Sequence, residues 1–132
     1  MYETSETLAA ERLVVESLQV AWECTLKKFP IAYQLDYMAF QDSDAKAVIE
    51  IKCRKSKYDE MFLSLHKWLA GREMSIATGL PFVLVYAFGQ EIFWKAVQTE
   101  KIGIKWGGRT DRNDWQDSEP MATFKLSTFK KL

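Results

Sequence analysis

The chain has 132 residues, of which 48% are hydrophobic and 14% aromatic, with eighteen basic and eighteen acidic side chains. That length fits one domain able to bury roughly two-thirds of its unfolded surface. The composition is too apolar for disorder, and the charge balance excludes a generally polybasic nucleic-acid binder. No apolar run approaches the ~20 residues of a membrane span, and Met1 to Glu6 is polar rather than signal-like. Cys24 and Cys53 form no metal or redox spacing, so a cytoplasmic protein with reduced thiols is expected, one disulfide remaining open.

Leu8 to about Phe29 reads as a long amphipathic helix, with Leu8, Val15, Leu18, Trp22, Leu26 and Phe29 on one stripe. Ser5 or Thr7 caps its start and Pro30 stops it. Ile31 to Phe40 and Lys46 to Arg54 read as two strands joined by the polar turn Gln41-Asp42-Ser43-Asp44. Tyr58 to about Ala77 reads as a second helix, closed by Gly79. Pro81 to Phe88 is an almost unbroken apolar run, expected as a strand covered on both faces, and Gly89-Gln90 turns it back into Glu91 to Val97. Trp106 to Pro120 reads as a long loop, Met121 to Leu126 as a last strand, and Ser127 to Leu132 as a short basic helix or tail. This order predicts an α+β or mixed α/β sandwich in which helices cover a small sheet.

The zero net charge hides an asymmetry: residues 1–50 carry a net −5 and residues 51–132 a net +5. The densest basic stretch, Lys52, Arg54, Lys55 and Lys57, follows directly on Glu50. Alternation along Val48-Ile49-Glu50-Ile51-Lys52-Cys53-Arg54 puts Glu50, Lys52 and Arg54 on one strand face. Asp36 is a lone acid on the preceding strand. A hairpin symmetric about Ser43 sets Phe40 opposite Lys46, Met38 opposite Val48, and Asp36 opposite Glu50. Two facing carboxylates repel, and a divalent cation between them reverses that sign because hard cations choose carboxylate oxygens. The plainer alternative is a solvated face on which Lys52 neutralises Glu50. Glu11 projects to the centre of the first helix's apolar stripe, whereas Glu16 projects to the polar side. Glu11 therefore needs either a basic partner or a place beside a metal.

A helix glutamate, an aspartate on a strand, and Glu-x-Lys on the next strand resemble the PD-(D/E)xK nuclease superfamily. The pieces here are Glu11, Asp36 and Glu50-Ile51-Lys52, and the likeness covers about residues 8–97. The compact arrangement is similar to Holliday-junction-resolvase-like and phage-encoded nucleases. Leu35 stands where the name-giving proline would be. The resemblance implies one nuclease-like domain over residues 1–132, with a restriction-endonuclease-like αβββαβ-type core.

It also implies a Mg²⁺-dependent DNA nuclease, with Mn²⁺ as a substitute ion. Asp36, Glu50 and the backbone carbonyl of Ile51 would be the metal ligands, and Glu11 would complete a second metal site or position a water. Lys52 would act on the attacking water and on developing charge. Arg54, Lys55 and Lys57 would contact the DNA backbone. Lys67 is either a further DNA contact, a plain surface lysine, or a residue turned to the active site from the second helix. His66 reads as a surface residue and Trp68 as core. The partner is DNA, and a homodimer is implied if the substrate is a junction. The rival reading is a non-catalytic DNA-binding or assembly module that retains the fold.

Overall fold

The computed structural model describes residues 5–30, 35–97, 102–108 and 118–132. Helix α1 spans Ser5–Trp22. Val14 and Leu18, one turn apart, are buried in it, while Leu8, Leu13 and Val20 are exposed. The helix is shorter than its periodicity predicts. Glu23 takes a positive φ of 50°, and the chain reverses into β1 (Thr25–Lys28), where only Leu26 is buried. Trp22, Leu26 and Phe29 keep a spacing of three to four, so a short half-buried strand imitates a further helical turn. The side chain of Gln19 closes the junction by accepting the Leu26 N–H at 3.0 Å.

Strands β2 (Tyr37–Gln41) and β3 (Asp44–Cys53) form the predicted hairpin. Met38 faces Val48 as expected, but the register shifts between Ala39 and Phe40, so Phe40 faces Ala45 rather than Lys46. The first part of the predicted strand, residues 31–34, lies outside the described residues. A second correction concerns the next segment. Tyr58 to Ala77 is not one helix: Glu60–Ser64 is strand β4 and Leu65–Thr78 is helix α2. Met61 and Leu63 are buried while Phe62 between them is exposed. That period of two wins because β4 finds a partner strand. Gly79 closes α2 in the left-handed conformation at φ 74°, its N–H donating to the Ser75 carbonyl.

Strand β5 (Phe82–Phe88) is buried at all seven positions, and β6 (Glu91–Ala96) returns antiparallel beside it. The predicted loop from Trp106 to Pro120 is strand at its two ends, where residues 106–108 belong to β7 (Gly103–Gly108) and residues 118–120 to β8 (Ser118–Lys125). The rest of it, residues 109–117, lies outside the described residues. The tail makes a 3₁₀ turn at Leu126–Thr128, and then β9 (Lys130–Lys131) pairs with β6.

Among the described residues the strands form a six-stranded sheet, ordered β1-β2-β3-β5-β6-β9, and a three-stranded sheet, ordered β4-β8-β7. Within the larger sheet β3 and β5 run parallel and the other neighbours antiparallel. The result is the predicted α+β architecture, enlarged by β1, β4, β7 and β9. Helix α1 covers one face of the large sheet through Val14, Leu18, Ile49, Ile51, Val83 and Val85. Helix α2 and the small sheet cover the other, against Val48, Phe82, Leu84 and Tyr86. Helix α2 crosses β5 so closely that a Cβ on Gly71 would meet the Phe82 ring. No helix among the described residues is long and apolar enough to cross a membrane.

Candidate active site

Glu50 and Lys52 lie in the middle of the large sheet, because β3 is flanked by β2 on one side and β5 on the other. Alternation turns both side chains away from α1, toward α2. Glu50 is wholly buried and Lys52 is 7% exposed, so the solvated ion-pair face considered from sequence is not what forms. Glu50 Oε2 lies 3.2 Å from Lys52 Nζ and 3.1 Å from Lys67 Nζ. Glu50 Oε1, equally buried, has no hydrogen-bond partner among the described residues. An ionised carboxylate out of water needs compensation at both oxygens. Among the described residues one oxygen has two cations and the other has no partner.

Asp36 stands one residue before β2. Tyr37 pairs with Ile49 and Met38 with Val48, which brings Asp36 level with Glu50, as the symmetric hairpin predicts. Its Oδ2 accepts the Ile51 N–H at 2.9 Å, and its own carbonyl accepts the Phe29 N–H at 2.9 Å. Within an extended strand the N–H and C=O of one residue point to the same edge. The Ile51 carbonyl is therefore directed to the same side as the Asp36 carboxyl. Burial, and then the charge of Glu50, push the Asp36 carboxyl up to about 6, against the opposing pull of the Ile51 N–H and the two lysines. Burial holds the Lys52 ammonium below its ordinary value, with Lys67 and Arg54 adding to the effect and Glu50 resisting it. For Lys67 burial is the largest influence and acts downward, but Glu50, Lys52 and Asp36 together outweigh it and the ammonium titrates above its ordinary value.

Glu11 is placed differently from the sequence expectation. Tyr37 alternates with Asp36 and so faces α1, where its hydroxyl donates to Glu11 Oε2 at 2.8 Å. Lys28 Nζ lies 3.4 Å from the same oxygen. Among the described residues no group of three or more His, Cys, Asp and Glu side chains converges as a metal cluster. Glu11 thus does not join Asp36 and Glu50, because Tyr37 and β1 hold it on the other face of the sheet. Glu16 is exposed, as its projection predicts.

The basic run also divides. Arg54 falls beyond the end of β3, where strand alternation no longer ties it to the Lys52 face. Its Nη1 donates to the Cys53 carbonyl at 3.0 Å. Arg54 and Lys55 line a groove against Leu13, Val14 and Glu16 of α1. Lys57 pairs with Glu91 at 2.8 Å, both largely exposed. Lys67 is not a plain surface lysine: it sits in the first turn of α2 with its ammonium on Glu50. Reading Glu60–Ser64 as a strand would have moved the helix start to Leu65 and put Lys67 at the end facing β3. His66 is exposed, Trp68 is buried, and both cysteines are free thiols.

The donor set suits a hard divalent cation. Two carboxylates and a backbone carbonyl offer oxygen only, one carboxylate oxygen is buried without a partner among the described residues, and a lysine stands beside it. A mixed sheet with helices on both faces, carrying Asp and then Glu-x-Lys on adjacent strands, defines a nuclease-like protein of the PD-(D/E)xK superfamily. The chain matches, over residues 1–132, the family described as "Phage putative PDDEXK endonuclease", and it belongs to that family. Among solved structures it is similar to Archaeoglobus fulgidus Hjc, a Holliday junction resolvase from an archaeal hyperthermophile. The TM-score is 0.63 at 17% identity, covering 93% of this chain and 86% of that one. At that identity the likeness is one of fold. A search of curated protein sequences found no match.

Proposed function

We propose that residues 1–132 act as one domain, a Mg²⁺-dependent DNA endonuclease that hydrolyses phosphodiester bonds, structure-selectively, in recombination or repair. The observation that carries this reading is the Glu50 carboxylate, wholly buried, with two ammonium groups on one oxygen and none on the other. Asp36, Glu50 and the Ile51 carbonyl would hold the ion, Mn²⁺ serving in place of Mg²⁺. When bound, the ion supplies charge stabilisation at the phosphate and a more acidic water.

The chain's own residues do the rest. Asp36 is fixed by the Ile51 N–H, which restrains the carboxylate beside Glu50 without a search over rotamers. Lys52 is held by Glu50 in a water-poor setting, where an ammonium acts strongly on charge developing at a phosphate oxygen. Its lowered proton affinity suits it to orient the attacking water and share its proton. Arg54 and Lys55 contribute phosphate contacts that position the duplex without reading sequence. Glu11 is given no part in the ligand set: it braces Tyr37 from α1. Cutting a junction on both strands needs two sites related by symmetry, so a homodimer goes with that substrate.

The test is a cleavage assay over supercoiled, linear, flap and four-way-junction DNAs with Mg²⁺ or Mn²⁺. Metal-dependent cutting, strongest on branched DNA, supports the proposal. Binding without cutting under any ion supports the non-catalytic module instead.

A further inference from the structure

On the proposed reading Glu50 is a cation ligand, yet its carboxylate already serves two lysines. Asp36 and Glu50 carry two negative charges, and Lys52 and Lys67 carry two positive ones, so the tetrad is formally neutral. We propose that Lys67 is the resident counter-ion of this site and couples cation uptake to phosphodiester binding, moving from Glu50 to a DNA phosphate when both bind. The inference rests on the nuclease reading above.

A divalent cation added to a neutral, water-poor tetrad leaves two positive charges uncompensated, and low effective dielectric makes that costly. A phosphodiester brings one negative charge. Withdrawal of one ammonium from the carboxylate to a neighbouring phosphate of the DNA strand, not the one at the cation, removes one positive charge. The two together restore neutrality, and either alone does not. Accessibility decides which lysine moves. The Lys52 side chain is 8% accessible, rooted in the middle of β3, whereas the Lys67 side chain is 22% accessible on the first turn of α2. A lysine's flexible stem allows such a transfer between anions without movement of the helix. The coupling is reciprocal: DNA raises cation affinity by the factor with which the cation raises DNA affinity.

Mn²⁺ is titrated by calorimetry into the full chain and into Lys67→Met, Lys67→Gln, Lys67→Arg and Lys46→Met, with and without a phosphorothioate-linked duplex. Without DNA, the Met and Gln variants at 67 should bind Mn²⁺ about ten-fold tighter than wild type. Lys67→Arg, which keeps the charge, and Lys46→Met, on the exposed hairpin bulge, should stay within about two-fold. The duplex should raise wild-type Mn²⁺ affinity about ten-fold and that of the neutralised variants by less than about three-fold. Equal DNA-free affinities of wild type and the neutralised variants overturn the proposal. So does a wild-type Mn²⁺ affinity unmoved by the duplex, a measurement that needs no variant to fold. Failure of wild type to cut any DNA refutes the nuclease reading, while the DNA-free comparison still decides the role of Lys67.

Discussion

Asp36→Asn should stabilise the metal-free protein, and by more at pH 8 than at pH 4.5. The Asp36 carboxyl is raised from 3.8 to about 6 by burial and the neighbouring Glu50 charge. A folded-state value above the unfolded one means that the folded protein holds this proton more tightly. Stability from the protonated acid is therefore complete below about pH 4 and is lost as pH rises through about 6. The shift sets a ceiling of about 3 kcal/mol on that loss. Screening at a partly open site reduces it to roughly 1–2 kcal/mol. Asparagine keeps an acceptor for the Ile51 N–H and carries no charge at any pH. For a chain of this size the gain corresponds to roughly 4–7 °C in Tm at pH 8, falling to about a third of that at pH 4.5. Thermal melts in EDTA at both pH values give the comparison. A variant destabilised at pH 8, or shifted equally at both, would refute the electrostatic reasoning and make Asp36 a structural acid.

Four further outcomes follow from the geometry. Lys52→Ala should lower kcat by roughly 10²-fold or more with little change in DNA affinity, because its charge acts mainly in the transition state; single-turnover kinetics beside a binding titration separate the two effects. Glu50→Gln should lose roughly 2–4 kcal/mol in urea unfolding without metal, since it leaves the two ammonium groups without their shared carboxylate. Gly71→Ala should lose roughly 1–3 kcal/mol in the same assay, because the added Cβ would stand 2.2 Å from Phe82 Cε2 and push α2 off β5. Arg54→Ala and Lys55→Ala should each flatten the salt dependence of DNA binding by roughly one unit of slope while leaving single-turnover cleavage at saturating DNA unchanged.

The central hairpin was legible in the sequence because two patterns agree there. Strict alternation from Ile49 to Arg54 and a polar turn at residues 41–44 set the register, and Met38 faces Val48 as a result. Strand β5 was equally legible, since seven apolar residues in a row have few other uses in a chain this short. The small sheet was not. Met61 and Leu63 fit a strand, but together with Tyr58, Phe62 and Leu65 they also fit a helix, and the choice belongs to β8, sixty residues away. The same ambiguity hid β1 behind the spacing of Trp22, Leu26 and Phe29. At the site, the placement of Asp36, Glu50 and Lys52 on adjacent strands was readable from local pattern. Lys67 was not, because its position depends on where α2 begins. Glu11 was misplaced because a helical projection describes one stripe and cannot say that Tyr37 is waiting on the α1 side of the sheet.

The central claim is that buried Glu50 is the acid of a metal-dependent phosphodiesterase centre. The most direct measurement is cleavage of a four-way junction by wild type and Glu50→Gln under matched Mn²⁺ titration, each protein checked for folding at the assay temperature. Wild type should show saturable, Mn²⁺-dependent cutting, the variant no cutting at any Mn²⁺ concentration, and both should retain junction binding. Cutting by a folded Glu50→Gln at the wild-type rate, or cutting by wild type that EDTA leaves unchanged, would contradict that claim.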